Sequence, residues 1–167
     1  MSDKCEIQLR KLEVKDAPLM LEWMHDDSVV HNMQADFASK TINDCCEFIE
    51  NAQDTSQNMH LAIVDKSDEY MGTVSLKHIH NREAEFGITI RKSAMGKGIS
   101  IRAMQSIIEI GFNRIGLERI FWCVNPMNAR AVRFYDKNGY SRISVIPPVE
   151  GYTEEQVRGY YWYEVKK

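Results

Sequence analysis

Several things are missing from this 167-residue chain, and each absence narrows what it can be. No apolar run approaches the roughly 20 residues that a membrane-spanning helix needs. The opening residues, "MSDKCEIQLRKLEV", lack the apolar stretch of a signal peptide, so the cytoplasm is the expected compartment. Four cysteines are present, at positions 5, 45, 46 and 123, and no two of them form a CxxC pair. That spacing suits neither a zinc set nor a disulfide framework, and reduced, buried thiols are expected. There is no internal repeat, low-complexity stretch or linker, so residues 1–167 are read as one domain.

What is present is an ordinary globular composition, 44% hydrophobic and 27% charged, with a net charge of −3. The charge is unevenly placed. Residues 1–55 carry five basic and twelve acidic side chains, whereas residues 91–142 carry ten basic and three acidic ones. An anionic ligand near the middle of the chain and a cationic one toward its first third would suit that asymmetry. The basic block lacks the aromatic–basic platform of a nucleic-acid binder, so neither nucleic acid nor membrane is an expected partner.

Hydrophobic periodicity predicts seven strands and about four helices. "CEIQLRKLEV" alternates as a strand, and "DAPLMLEWMHD" follows as a helix with Asp16 at its N-cap and Pro18 in its first turn. Residues 41–53 form a second helix with Cys45, Phe48, Ile49 and Ala52 on one face. Strands follow at 60–65, 70–79 and 84–90, the last two joined by the tight turn "HNRE". Residues 99–115 then place Ile101, Met104, Ile108, Phe112 and Ile115 at helical spacing, and "ERIFWCV" (118–124) reads as a strand. "NARAVRFYDKNG" is a helix with Asn128 as N-cap and Gly139 as its stop, ahead of the strands "YSRISVI" and "GYYWYEVK". The order implies an α/β (mixed α+β) domain, with helices packed on a mixed sheet and a right-handed crossover between 84 and 124.

At that crossover lies "MGKGIS", residues 95–100. A Walker A loop needs G-x-x-x-x-G-K-[ST], but Arg91 stands at the first glycine and Gly98 where Ser or Thr is required. A dinucleotide fingerprint needs a third glycine, and Ile101 occupies that place. A looser motif remains: glycines that let main-chain N–H groups of Met95, Gly96, Lys97, Gly98, Ile99 and Ser100 approach an anion at a helix N-terminus. Lys97, with Arg91, Lys92 and Arg102 nearby in sequence, adds positive charge. An ordinary tight turn would contain the same glycines.

The loop is followed by "NPMNARAVRFYDKNGY". Taken together, the two blocks resemble the GNAT superfamily of acyl-CoA-dependent N-acetyltransferases, whose pattern is [RQ]-x-x-G-x-[GA], helix, strand, then N-x-x-A-x-x-x-Y-x-K-x-G-[FY]. Asn128, Ala131, Tyr135, Lys137, Gly139 and Tyr140 match the second block, and Gly96 and Gly98 match the first. Ser93 departs from the leading Arg or Gln, as in the subfamily resembling ribosomal-protein N-terminal acetyltransferases and spermidine acetyltransferase. "LEWMHDDSVVHNM" also resembles a segment of that subfamily.

The resemblance implies a single-domain GNAT-like fold with a mixed, mostly antiparallel central sheet. It implies acetyl-CoA as co-substrate and direct transfer of acetyl to a primary amine within a ternary complex. The acceptor stays open between a protein N-terminus, a polyamine, an aminoglycoside and an amino sugar. Residues 95–100 would hold the pyrophosphate, and Ile88, Thr89 and Ile90 the pantetheine arm. Asn128, Ala131 and Lys137 would lie along the cofactor. Tyr135 takes the position of the general acid that protonates the leaving thiolate. Glu85 is expected to deprotonate the amine through water or to attract its ammonium.

A two-residue turn at Asn81-Arg82 would set His78 opposite Glu85 and His80 opposite Glu83. These histidines form too loose a set for a catalytic zinc, and no metal is expected. The resemblance also implies that Asp26, Asp27, His31 and Asn32 line the acceptor wall and that the chain forms a homodimer. A non-catalytic acyl-CoA-binding domain on the same fold is the alternative.

Overall fold

A computed structural model describes residues 5–33, 35–146 and 149–167. Seven strands form one sheet: β1 (Ile7–Lys11), β2 (Met59–Asp65), β3 (Tyr70–His80), β4 (Glu83–Ile90), β5 (Arg119–Val124), β6 (Ser141–Ile143) and β7 (Tyr161–Lys166). Their spatial order is β1-β2-β3-β4-β5-β7-β6. Every neighbouring pair is antiparallel except β4–β5, which runs parallel because helix α4 (Ile99–Ile110) crosses between them. All seven strands expected from periodicity are present.

Alternation along the strands divides the apolar residues between two cores, one on each face of the sheet. On one face Ile63, Val74, Phe86, Ile120, Trp122 and Tyr163 pack with Ala103, Met104 and Ile107 of α4 and with Tyr135 of α5 (Ala129–Lys137). On the other, Ala62, Val64 and Tyr70 pack with Met20, Trp23 and Met24 of α1 (Ala17–Met24) and with Cys45 and Ile49 of α3 (Ile42–Asn51). The four cysteines are free thiols, but only Cys45 is fully buried, while Cys5, Cys46 and Cys123 are half-buried rather than mostly buried as expected.

The buried stripe of α4 is not the one its large apolar residues suggest. Ile99, Ala103, Met104 and Ile107 are buried, while Ile101, Ile108, Phe112 and Ile115 lie half-buried at the margins. Small residues bring the helix close to the sheet. At Gly111 an added Cβ would come 3.1 Å from Leu76, Leu117 and Ile120. The final turn there, Gly111–Ile115, widens to a π-turn before Gly116 ends it with φ +84°.

Two further short helices exceed the four expected: α2 (Asp27–Val30) and α6 (Glu154–Gly159). Both are set by polar caps rather than by apolar periodicity. Asp26 accepts from the Ser28 N–H, and Thr153 and Gln156 form a reciprocal capping box.

Asp16 does not cap α1 with its side chain. It is 2% exposed, accepts from the Glu13 N–H, and takes both terminal nitrogens of Arg10 at 2.8 Å. This bidentate pair ties β1 to the start of α1. Removing the guanidinium would leave a carboxylate buried with one backbone donor. We predict that Arg10→Met lowers stability by about 3 kcal/mol, read as the shift in a urea unfolding curve. A loss within experimental error would show that the carboxylate is compensated elsewhere.

Candidate active site

The parallel pairing of β4 with β5 covers three positions, from Glu83↔Arg119 to Glu85↔Phe121. Beyond Phe121, β5 continues antiparallel to β7 as far as Val124↔Tyr161. β4 meanwhile continues beside β3 to Gly72↔Ile90. Among the described residues, then, the edge of β4 from Phe86 to Ile90 faces no strand on the β5 side. It opens a notch lined by main-chain donors and acceptors. Ile88 and Ile90 pack toward the α4 face, and Thr89 lies opposite Thr73.

At the end of this edge stands the glycine loop. Gly96 and Gly98 have φ of +78° and +74°, and a Cβ at either would meet nothing within 4 Å. Gly98 is the N-cap of α4, and among the described residues no side chain caps that helix, which leaves its first N–H groups to another partner. Lys97 is exposed within the loop. Two of the cations placed near it by sequence are engaged elsewhere. Arg91 binds Glu22 at 3.0 and 3.2 Å and the Tyr70 carbonyl at 3.1 Å, and Arg102 donates to the Cys5 carbonyl.

Tyr135 is presented by α5, whose N-cap Asn128 accepts from the Ala131 N–H at 3.2 Å. Asn128 thus acts first as a cap, Ala131 packs on the core, and Lys137 is exposed in the last turn. The Tyr135 ring packs against both Trp122 and Tyr163, with centroids 5.3 and 5.2 Å away, while those two rings stack on each other at 5.7 Å. Burial raises its hydroxyl well above the ordinary tyrosine range, so it is a protonated donor at neutral pH. Among the described residues no group hydrogen-bonds that hydroxyl. The family resemblance had singled out this residue, and the fold packs it on the α4 face against Trp122, which also meets Phe86 of β4 at 5.5 Å.

Glu85 lies on the opposite face and is 3% exposed. Its neighbours differ from those the turn predicted. The Asn81-Arg82 turn forms, with φ of +50° and +62°, and His80 pairs with Glu83 as expected. An extra residue then bulges out of β3 at His78, φ +53°, whose N–H donates to the Asn58 side chain at 3.0 Å. The bulge shifts the register, so Lys77 rather than His78 stands opposite Glu85. Lys77 Nζ is 3.8 Å from Glu85 Oε1, and His78 Nε2 is 3.9 Å from Oε2. Glu83 instead meets Arg119 at 3.5 Å.

One neighbour escaped the sequence reading. Tyr152 donates its hydroxyl to Glu85 Oε1, on the face that also carries Cys123, whose thiol burial pushes up to about 11. Tyr152 immediately precedes the Thr153 cap of α6, so recognising "TEEQ" as a capping box would have revealed an ordered segment here. The acceptor-wall candidates have local partners. Asp26 caps α2, its carboxyl held low by Ser28 and by the charge of Lys92. His31 Nδ1 lies 3.0 Å from the Asp27 carbonyl, and Asn32 reaches His31. Among the described residues no group of three His, Cys, Asp or Glu is placed to hold a metal. No helix there is long and apolar enough to cross a membrane.

Comparison with known proteins places this arrangement among acetyltransferases. The family profile described as the acetyltransferase (GNAT) domain matches residues 6–141. An uncharacterized N-acetyltransferase, p20, of Bacillus licheniformis is 26% identical over 150 residues, covering 86% of this chain and 84% of that protein. Spermidine N(1)-acetyltransferase of Escherichia coli K12 is 28% identical over 148 residues, covering 81% and 73%. Among solved structures, spermidine N-acetyltransferase of Vibrio cholerae in complex with CoA and spermine superposes with a TM-score of 0.78. It is 18% identical, with 96% and 95% of the two chains covered. A dodecameric structure of spermidine N-acetyltransferase from Vibrio cholerae matches with a TM-score of 0.72 at 18% identity, over 96% and 93%.

The carboxylate's face of the sheet also carries a titration signature. His60 Nδ1 lies 2.6 Å from Ser75 Oγ, and burial, with the charges of Lys77 and His78, lowers its pKa from 6.5 to about 4. Between those values the unfolded chain binds a proton that the folded chain does not. Stability from this group is therefore complete above pH 6.5 and lost as pH falls toward 4. Urea curves at about pH 7 and about pH 5 should show a smaller acid loss for His60→Gln than for the native chain. Equal losses would assign the acid sensitivity to other groups.

Proposed function

The chain belongs to the acetyltransferase (GNAT) family, and we propose that it moves the acetyl group of acetyl-CoA onto a primary amine of a cationic acceptor. The observation that carries this reading is the notch: a three-residue parallel pairing that opens into an unpaired β4 edge, with glycines at its end. The features present suit this co-substrate. Open space over Gly96 and Gly98 and an uncapped helix N-terminus fit a pyrophosphate, and an unpaired strand edge fits an extended chain of amides.

On this reading the main chain of residues 95–100, aided by Lys97, holds the phosphates. Ile88, Thr89 and Ile90 pair with the pantetheine amides. Asn128, Ala131 and Lys137 border the cofactor from α5, with Asn128 also fixing the helix. Acetyl-CoA supplies a thioester, and the residues around it handle protons. Tyr135, kept protonated by burial, donates to the departing thiolate. Glu85 draws the acceptor's ammonium into place and takes up its proton directly or through water. The two groups stand on opposite faces of the sheet, so donor and acceptor approach the notch from opposite sides.

A polyamine is the acceptor class we propose, because a buried carboxylate suits a cation and because two relatives act, by name, on spermidine. Self-association belongs to the same proposal, supported by the dodecameric relative. A binding domain without catalysis is the weaker reading, since Tyr135 has a free hydroxyl at the notch.

Incubation with acetyl-CoA and a panel of amines, led by spermidine, should release free CoA. Tyr135→Phe should cut that rate about 100-fold or more while leaving CoA affinity nearly unchanged. An undiminished rate in Tyr135→Phe would remove this residue from the acid role. Tight CoA binding with no turnover on any amine would favour the binding domain.

A further inference from the structure

Lys77 places a primary amine beside Glu85, the carboxylate to which the functional reading assigns the acceptor. The bulge at His78 puts it opposite Glu85, with its Nζ 3.8 Å from the carboxylate. From there its side chain runs across the neighbouring strand over Gly87. A Cβ on Gly87 would lie 3.4 Å from Lys77 Cε and 3.6 Å from Nζ, so the absent side chain clears the path. Gly87 stands two residues beyond the last β4 residue paired with β5, at the mouth of the notch. The charge of Lys77 also reaches Cys123 on β5. Lys77 is therefore a primary amine, about one-third exposed, tethered between the carboxylate and the opening.

We propose that Lys77 is itself an acetyl acceptor, modified in cis by the site it borders. This rests on the acetyltransferase reading above. Glu85 accepts a proton from the Lys77 ammonium, and the freed nitrogen pair forms the N–C bond to the acetyl carbon. The C–S bond breaks, its electron pair leaves on sulfur, and Tyr135 protonates that thiolate. The nitrogen's second proton passes to solvent, and solvent restores Tyr135. The products are Nε-acetyl-Lys77, CoA and one released proton. Acetylation also removes the positive charge beside Glu85, leaving that carboxylate to an incoming cation.

The test is intact-mass analysis of the full chain, as purified and after incubation with acetyl-CoA alone, followed by peptide mapping. One added acetyl group should map to Lys77. It should form about 100-fold faster than acetylation of the exposed Lys40 and Lys66, by a first-order process independent of protein concentration. Tyr135→Phe should reduce Lys77 to the rate of those exposed lysines, and Lys77→Arg should abolish the mapped product. Occupancy at Lys77 before incubation supports the proposal if Tyr135→Phe lacks it. CoA release with external amines, together with Lys77 labelling no faster than at exposed lysines, overturns self-acetylation and leaves the functional reading intact. Absence of both activities in the native chain overturns the two together.

Discussion

β5 can satisfy its main chain against two neighbours, and it does so unequally. Six residues pair with β7, but three pair with β4. The reason lies in the directions of the strands. β4 is held to β3 as far as Ile90, whereas β5 is held to β7, and past Glu85 and Phe121 the two ladders diverge. Unpaired peptide groups inside a protein need partners, so an opened sheet is stable where water or a ligand supplies them. The glycine loop, the start of α4 and the Tyr135 helix are all arranged around that opening.

The surroundings of the notch are dry enough to set protonation states. Burial keeps the Tyr135 hydroxyl and the Cys123 thiol protonated, and keeps the His60 ring neutral. Glu85 is nearly inaccessible, yet it is surrounded by Tyr152, Lys77 and His78, which together offset the cost of burying a carboxylate. A protonated hydroxyl lies on one face and a carboxylate on the other, with an open strand edge between them, and the proposed amine acylation rests on that arrangement. The family match covers β1 to the start of β6 and includes every one of these groups except Tyr152.

Much of this was legible in the chain itself. Alternation located all seven strands, Asn128 announced its own cap, and the resemblance of Asn128–Tyr140 to a family block drew attention to Tyr135, whose role is proposed above. The failures share one cause, that their signals are not periodic. The bulge at His78 comes from a single extra residue held by Asn58 and Gln57, from a distant segment. α6 and Tyr152 follow from a polar cap. Arg91 and Arg102 resembled anion ligands until Glu22 and the Cys5 carbonyl were brought to them by folding.

Local rules thus account for the elements and for the residue types that bear chemistry, because hydrophobic period, capping and glycine conformation act within a few positions. Contacts between segments far apart along the chain set everything that depends on pairing. The length of the β4–β5 ladder, the register that gives Glu85 a lysine rather than a histidine, and the placing of Tyr152 67 residues beyond Glu85 all belong to this class. A one-residue shift in a strand exchanges its faces, and no feature of β3 read alone reveals which side of such a shift it occupies.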